Sequence, residues 1–318
     1  MGNDIIVTGA AGFVGCHVAA GLARAGFRVI ATDISNPTFA GLQMLDDAGV
    51  VAFRQGDLTE PGFVDELLSS ACGIVHGAGA SRVSTARANP AAAAHSTLQA
   101  TTQLLSGMAS ASISWFMLLS SREVERLEQQ PPASLNDLYA VMKLNAEQLA
   151  RCFCQDAGIP LQICRLSDVY GSLHDHTGKL LPIFIDNALQ GRPLTVRDRH
   201  SLFYFTHVND VVTAIASGID MLRARPQPVM IRQFWKNDGH TAESLALLIR
   251  ELVGESVEIL LQDENAAAAA QAATVTDYNT GFVQQIDLHS GLQQLLAEAQ
   301  QARAAGQTQP LSAFHKSR

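Results

Sequence analysis

Asp4-Ile5-Ile6-Val7-Thr8-Gly9-Ala10-Ala11-Gly12-Phe13-Val14-Gly15 is the stretch from which the fold of this chain is read. Ile5 to Val7 is an apolar run of strand length, the pattern of a strand covered on both faces. Gly9, Gly12 and Gly15 recur at every third position, a helical pattern runs from Phe13 to Ala25, and Gly26 ends it. Arg28-Val29-Ile30-Ala31-Thr32 is a second strand that leads into Asp33. The unit is therefore strand, turn, helix and strand, with a carboxylate at the second strand's tip. Each part has a physical role if a dinucleotide binds. Gly9 permits the tight turn, and Gly12, lacking Cβ, lets backbone approach a pyrophosphate seated on the positive end of the helix. Gly15 lets helix and strand pack closely. Asp33 accepts hydrogen bonds from both ribose hydroxyls and repels a 2′-phosphate, so the pattern predicts NAD in preference to NADP.

The alternation continues outward from that unit. Val50 to Phe53 reads as a third strand running into Gln55-Gly56-Asp57-Leu58, and a helix from about Pro61 to Ser70 opens at Thr59 and Pro61. Gly73 to His76 is a fourth strand, followed by the small-residue loop Gly77-Ala78-Gly79-Ala80-Ser81 and a long helix from about Pro90 to Ser110. Ser114 to Leu119 is a fifth strand ending in Ser120-Ser121. Leu138 to Ala157 is a helix closed by Gly158 and Pro160, and Leu161 to Leu166 is a sixth strand. Six strands with helical crossovers predict an α/β fold, a doubly wound parallel sheet of Rossmann type. Its ligand crevice lies at the carboxyl ends of the strands, where every loop named here falls.

After Asp168-Val169-Tyr170-Gly171 the pattern becomes irregular, with Pro182, Pro193, Pro226 and Pro228 interrupting it. A short strand is expected at Phe203 to Val208 and a helix at Asp210 to Leu222, and a helix N-capped by Thr241 runs to Val253. Residues 265 to 273, nearly all Ala, are helix or loop, and a last amphipathic helix begins near Leu292. The expected organisation is a cofactor domain over 1–168, rejoined by 203–222, and a smaller mixed α/β substrate lobe over 169–318.

Composition sets the outer bounds. A chain of 318 residues with 47% hydrophobic content supports a large core plus a lobe. A net charge of −8 without blocks of like charge argues against nucleic acid or an anionic membrane surface as partner. The apolar runs are strand-sized, and the first strand starts at the N-terminus, so a cytoplasmic protein without a membrane span or signal peptide is expected. Cys16, Cys72, Cys152, Cys154 and Cys164 lack metal-ligand spacing and are expected to be reduced, buried thiols.

The chemistry centres on Tyr139 and Lys143, four apart on one helical face. A cation beside the phenol favours phenolate and makes Tyr139 a general acid or base near neutral pH. Lys143 also reaches toward a nicotinamide ribose, and Ser121 on the same sheet edge is placed to hold the substrate oxygen. Arg82 and Arg87, just past the fourth-strand loop, are either anion clamps or surface arginines. His76 ends a buried strand and reads as a packed core histidine. His174 and His176 flank Asp175 in a loop without a partner Cys, so no metal is expected. Glu123 is expected in a salt bridge with Arg122 or Arg126.

These residues resemble the extended short-chain dehydrogenases of the nucleotide-sugar epimerase/dehydratase group, over most of residues 3 to 255. Thr8 to Gly15 is similar to the family's glycine turn, Asp33 to its ribose acid, and Gly56-Asp57-Leu58 to its adenine contact. His76-Gly77-Ala78-Gly79 resembles the loop beneath the cofactor, and Ser120-Ser121-Arg122-Glu123-Val124 the segment with the catalytic hydroxyl. Tyr139, Lys143 and Glu147 match the Tyr-x-x-x-Lys motif and its trailing Glu. Arg165 to Gly171 and His207-Val208-Asn209-Asp210-Val211 match two further motifs. The resemblance implies reversible hydride transfer with NAD at a sugar carbon. It assigns catalysis to Ser121, Tyr139 and Lys143. It assigns the cofactor to Gly9, Ala11, Gly12, Phe13, Val14, Gly15, Asp33, Asp57, Leu58, Gly77, Ala78 and Gly79 with Tyr139 and Lys143. Substrate contacts fall to Ser81, Arg82, Ser121, Arg122 and Asp168, and homodimers joined through helices such as 91–110 and 138–157 are common in such folds.

The chain also departs from that pattern. Asp168 stands where the family has Asn near the substrate diphosphate, and a carboxylate there repels it. Phe203 stands where the family has an Arg that pairs with diphosphate, leaving Arg192, Arg199 and Arg232 as substitutes. Arg122-Glu123 replaces the Asp-Glu of the dehydratases, so 4,6-dehydration lacks one of its two acids, and Glu125-Arg126 replaces Tyr-Gly. The sequence thus points first to a nucleotide-sugar 4-epimerase or ketoreductase. Behind it stand a dehydrogenase of a non-nucleotide polar alcohol or sugar and, in another class, a non-catalytic NAD-binding regulatory protein.

Overall fold

Burial decides which apolar runs pair. Ile5, Ile6 and Val7 expose no surface, and the first of them already has strand neighbours on both sides. In the computed structural model, which describes residues 3–224, 228–254, 256–262 and 282–305, seven parallel strands form one sheet. They are β1 (Asp4–Thr8), β2 (Val29–Asp33), β3 (Ala52–Gln55), β4 (Ala71–His76), β5 (Trp115–Ser121), β6 (Leu161–Leu166) and β7 (Val229–Phe234). Their spatial order is β7-β6-β5-β4-β1-β2-β3, so the order reverses beside β1. A reversal of this kind opens a crevice at the carboxyl ends of the central strands. The register, Ile5 opposite Val29 and Ile6 opposite Ile74, aligns the ends of β1, β2 and β4.

Alternate strand residues face opposite sides of such a sheet. Ile6, Ile74, Phe116 and Ile163 meet Val64, Leu67, Leu104, Leu105, Ala146 and Ala150 in one buried cluster. Those partners come from helices Pro61–Leu68, Ala100–Met108 and Leu138–Ala157. The other face is covered by helix Phe13–Arg24, whose Gly21 packs on Val212; a Cβ there would stand 2.2 Å from Val212 Cγ1.

Contacts divide the chain into two units. The first holds residues up to Leu166 and Val211–Phe234, with Phe282; the second holds Ser167–Asp210 and the described residues after Phe234 apart from Phe282. The first boundary lies two residues before the one expected at 168. Of the expected returning segment, 203–210 groups with the second unit and 211–222 with the first. Within the second unit, Asp168–Tyr170 pairs parallel with Phe205–His207, Leu194–Val196 with Ile259–Leu261, and Leu202–Phe203 antiparallel with His240–Thr241. Helices Leu180–Leu189, Ala242–Val253 and Leu288–Ala304 supply Phe184, Ile185, Leu245, Ile249 and Leu292 to a separate core that also holds Tyr170 of strand Asp168–Tyr170. Thr241 caps its helix as expected, accepting from Ser244 N at 3.1 Å.

Several elements differ from expectation. The seventh strand, Val229–Phe234, was hidden behind Pro226 and Pro228, which precede it rather than break it. Pro182 falls in the first turn of Leu180–Leu189, where its missing N–H has no intrahelical acceptor to lose. Helices Phe39–Asp47 and Glu123–Gln129 are additional, and the first is capped by Thr38. The helix expected from Pro90 to Ser110 is interrupted by a π-turn at His95–Gln99. Phe203 to Val208 is two short strands in different pairs. Cys152 is exposed, contrary to the expectation of buried thiols. The Ala-rich stretch 265–273 lies outside the described residues.

Gly9 and Gly15 set a tight backbone-to-backbone approach in the first unit. Gly9 takes φ +74°, and a Cβ on Gly15 would stand 2.1 Å from Gly9 O. Backbone cannot yield there as a side chain would, so Gly15→Ala is expected to lower stability by about 3 kcal/mol or more, read as a lower urea midpoint with an unchanged slope.

Candidate active site

The carboxyl ends of β1 and β4 are tied to helix Ala100–Met108 by one directed chain of hydrogen bonds. Gly77 N and Ala78 N donate to Thr8 Oγ1 at 3.2 and 3.1 Å. Thr101 Oγ1 spends its proton on Thr97 O at 2.5 Å, so at 2.9 Å it accepts the Nε2–H of His76. His76 Nδ1 is then an acceptor and takes the Thr8 hydroxyl proton at 2.7 Å. The tautomer follows from the partners, since each donor has one acceptor to serve. Burial, with the Lys143 charge adding to it, pushes the His76 imidazole from 6.5 down to about 3. A packed core histidine was expected, and His76 is buried.

That chain shapes the glycine turn. A Cβ on Gly9 would stand 2.7 Å from Gly77 C, so the first and fourth strand loops lie against each other. Gly12 is the N-cap of helix Phe13–Arg24, and no side chain caps that helix and no acid stands in its first turn. Asp33 Oδ2 accepts from Ala11 N at 3.0 Å, and Oδ1 from Ser35 N and Oγ, so the acid at the tip of β2 reaches the turn. Asp57 Oδ1 accepts from Thr59 N and Oγ1, both at 2.8 Å, and Leu58 is buried beside it. Ala80 N donates to Thr97 Oγ1 at 2.9 Å, which fixes the Gly77–Ala80 loop against the π-turn. A helix end with neither side-chain cap nor acid, a cradle lined by Gly9 and Gly12, and an acid at the neighbouring strand tip fit a dinucleotide.

The end of β5 gathers the candidate catalytic residues. Ser121 is the last residue of the strand, nearly buried, and its Oγ accepts from Glu123 N at 3.2 Å. Lys143 is 7% exposed, and its Nζ donates to Leu119 O at 3.2 Å. Burial lowers its ammonium from 10.5 to about 8, against the pull of Glu147. Tyr139 lies one turn earlier on the same helix, half-buried against Ala80, Ala86, Ala93 and Met142. The stretch joining Ser121 to Tyr139 is short and anchored. Asp137 accepts from Ala133 N at 2.7 Å, Ser134 N at 3.0 Å and Arg126, and these bonds hold its carboxyl below the usual range, Ala133 foremost.

Beneath Ser121 lies an ionic layer. Glu147 Oε1 accepts from Ser120 Oγ at 2.5 Å and Arg165 Nε at 3.0 Å, and Glu147 Oε2 from Arg165 at 2.8 Å. Glu128 takes Arg165 from the other side at 2.6 and 3.0 Å. Arg165 and Glu147 expose no side-chain surface.

The remaining candidates scatter. Ser81 is exposed and Arg82 half-buried before helix Val83–Ala88, Arg87 donates to Asn136 Oδ1, and Arg122 pairs with Glu123 at 3.5 Å. Asp168 belongs to the second unit, where its Oδ2 accepts from Tyr204 N at 3.0 Å. Among the described residues no three His, Cys, Asp or Glu side chains cluster as for a metal. Thr97 and Thr101 escaped sequence reasoning, although two threonines four apart in an Ala-rich helix were the available signal.

The directed hydrogen-bond chain has a spectroscopic consequence. His76 is expected to remain the neutral Nε2–H tautomer at pH 5 in ¹⁵N NMR, where an ordinary imidazole is charged. Because its folded pKa is depressed, the stability held by neutral His76 is present above pH 6.5 and lost as pH falls toward about 3. An imidazolium at pH 5 in the folded protein contradicts the network.

Comparison with known proteins agrees with the fold. The model of the NAD dependent epimerase/dehydratase family matches residues 5–231. A dTDP-glucose 4,6-dehydratase of Streptomyces antibioticus is 27% identical over 81% of this chain and 79% of its own length. UDP-glucuronate 4-epimerase 3 of Arabidopsis thaliana is 28% identical over 69% of this chain and 55% of its own. Two solved structures share the fold: UDP-glucose 4-epimerase of Thermotoga maritima, with UDP-glucose, and the dTDP-glucose 4,6-dehydratase DesIV of Streptomyces venezuelae, with NAD bound. Their TM-scores are 0.80 and 0.78 at 20% and 23% identity, covering 94% and 97% of this chain and 99% of each of theirs. No described helix is long and apolar enough to cross a membrane. With the family model spanning the whole sheet as far as β7, this chain belongs to the NAD-dependent epimerase/dehydratase family.

Proposed function

We propose that the chain is an NAD-dependent enzyme that oxidises and re-reduces a hydroxyl-bearing sugar carbon, of 4-epimerase or ketoreductase type, with a nucleotide sugar as first substrate class. The observation that carries this reading is Lys143, buried at the end of β5 with its ammonium lowered to about 8, one helical turn after Tyr139 and beside the end of the strand that carries Ser121. NAD, when bound, takes up and gives back the hydride.

The chain's own residues would do the rest. Ser121 Oγ already accepts from Glu123 N, which leaves its hydroxyl proton for the substrate oxygen. Tyr139 Oη removes or returns the hydroxyl proton. The Lys143 ammonium favours the phenolate by its charge, and in this site it keeps that charge only below about 8. The Gly12 N-cap and the helix behind it hold pyrophosphate, and Asp33 holds the adenosine ribose. Arg122 stands next to Ser121 where an acid would be needed for 4,6-dehydration, which favours epimerase or reductase chemistry. The setting proposed is a cytoplasmic homodimer joined through the helices around 91–110 and 138–157.

A second reading, a dehydrogenase of a polar alcohol or free sugar, is favoured by the arginines. The three arginines expected to stand in for the family's diphosphate partner are all engaged. Arg199 is bidentate on Glu243 at 2.8 to 3.0 Å, Arg192 is held by Asp186 at 2.7 Å, and Arg232 is buried with its NH1 on Ala214 O.

Two outcomes test these readings. Tyr139→Phe is expected to lower kcat about 100-fold or more while leaving NAD affinity within a few-fold, and wild-type kcat is expected to fall as pH rises through about 8, where Lys143 loses its proton. Full activity of the Phe variant removes the proposed acid/base. In thermal-shift screening with NAD present, UDP-, dTDP- or GDP-sugars are expected to raise Tm by several degrees, since a ligand at 100 times its Kd stabilises by about 2.7 kcal/mol. Shifts with free polyols and sugars alone would favour the second reading.

A further inference from the structure

Glu125 is a buried acid that no part of the mechanism above uses. It is 5% exposed, on the short helix Glu123–Gln129 that follows Ser121, and its Oε1 is buried without a hydrogen-bond donor among the described residues. Three carboxylates surround one guanidinium here. Arg165, from β6, gives Nε–H to Glu147 and both terminal nitrogens to Glu128, one of them to Glu147 as well. The other charges facing Glu125 are Arg122 and Glu128 on its own segment and Glu147 on helix Leu138–Ala157. With Arg165 shared between the other two acids, Glu125 is the odd one out.

We propose that Glu125 is a positioning residue for the Ser121–Tyr139–Lys143 site: as a neutral acid it leaves the Arg165–Glu147–Ser120 layer intact, and on ionising it displaces Glu128 from Arg165 and loosens the turn that seats Glu123 N on Ser121 Oγ. Burial pushes its carboxyl from 4.5 to about 7, opposed by Arg165 and Arg122 and aided by Glu128 and Glu147. Glu128 is the one to leave because a third of its side chain is exposed, while Glu147 is wholly buried. It sits three residues after Glu125, so both carboxylates reach Arg165 from one helical face. The proton released passes to solvent, and no bond other than O–H changes. The role rests on the proposed function for its kinetic consequence only.

The test uses the full chain as wild type, Glu125→Gln and Glu128→Gln. Hydrogen exchange of peptides spanning 120–130, corrected for base catalysis, is expected to speed up about threefold or more between pH 6 and pH 8 in the wild type. It is expected to stay constant in Glu125→Gln. In Glu128→Gln the same transition is expected at lower pH, because a rival carboxylate is gone. The raised folded pKa means that stability is present below 4.5 and lost as pH rises through about 7, so Glu125→Gln gains Tm over wild type at pH 8 and not at pH 5, by about 5 °C. Where turnover is measured, wild-type kcat falls in two steps near pH 7 and pH 8, and Glu125→Gln keeps only the upper one. Exchange that is pH-independent in the wild type, or a transition unmoved in Glu128→Gln, overturns the proposal even if Glu125→Gln fails to fold. Absence of turnover on any sugar, with the exchange transition intact, counts against the proposed function and leaves the positioning role standing.

Discussion

The ion pair between Arg165 and Glu147, both without exposed side-chain surface, is the interaction on which the candidate site depends. Burying two charges costs several kcal/mol per ion unless geometry and further hydrogen bonds compensate. Here they do: the pair is two-pronged, Ser120 completes Glu147, and Glu128 completes Arg165. The result joins β6, the end of β5, helix Leu138–Ala157 and helix Glu123–Gln129 at one point. Lys143 lies one turn before Glu147 and Ser121 one residue after Ser120, so both inherit their placement from that point. Removing either partner would strand a buried charge, which makes the layer rigid in a way that an apolar contact would not be.

A second constraint is steric. Gly9, at φ +74°, and Gly15, with no room for a Cβ against Gly9 O, draw strand, turn and helix into the closest approach backbone allows. The Thr8–His76–Thr101 chain then fixes the fourth-strand loop against that turn. A neutral histidine serves this purpose because each nitrogen has one defined partner. The low pKa of His76 and the lowered pKa of Lys143 have one origin, exclusion of water from the ends of β4 and β5, with the charge on Lys143 opposing a second one on His76.

Much of this was legible in the amino-acid order. The first strand, the glycine turn and Asp33 announce themselves because the residues are local in sequence and each has few alternatives. Tyr139 and Lys143 are legible for the same reason, since helical spacing alone puts them on one face. What was not legible is whatever depends on distant partners. β7 hid behind two prolines because its place is defined by pairing with β6. Thr97 and Thr101 look like ordinary helix residues until His76 and Ala80 arrive from elsewhere in the chain. Glu125 stands out in the sequence only as a departure from a family pattern, and only the fold buries it beside Glu147 and Arg165.

The same distinction separates reaction from substrate. The proposed chemistry rests on a few residues around the end of β5, whereas the proposed substrate choice turns on arginines whose partners only the fold reveals. Arg199 and Arg192 spend their charge on Glu243 and Asp186, so any diphosphate must find other donors. The most direct test of the account is a co-crystal structure with NAD. Pyrophosphate is expected on the Gly12 end of helix Phe13–Arg24, Asp33 on the adenosine ribose, and Lys143 with Tyr139 at the nicotinamide ribose. Pyrophosphate excluded from the glycine turn, or a nicotinamide ring remote from Tyr139, would contradict it.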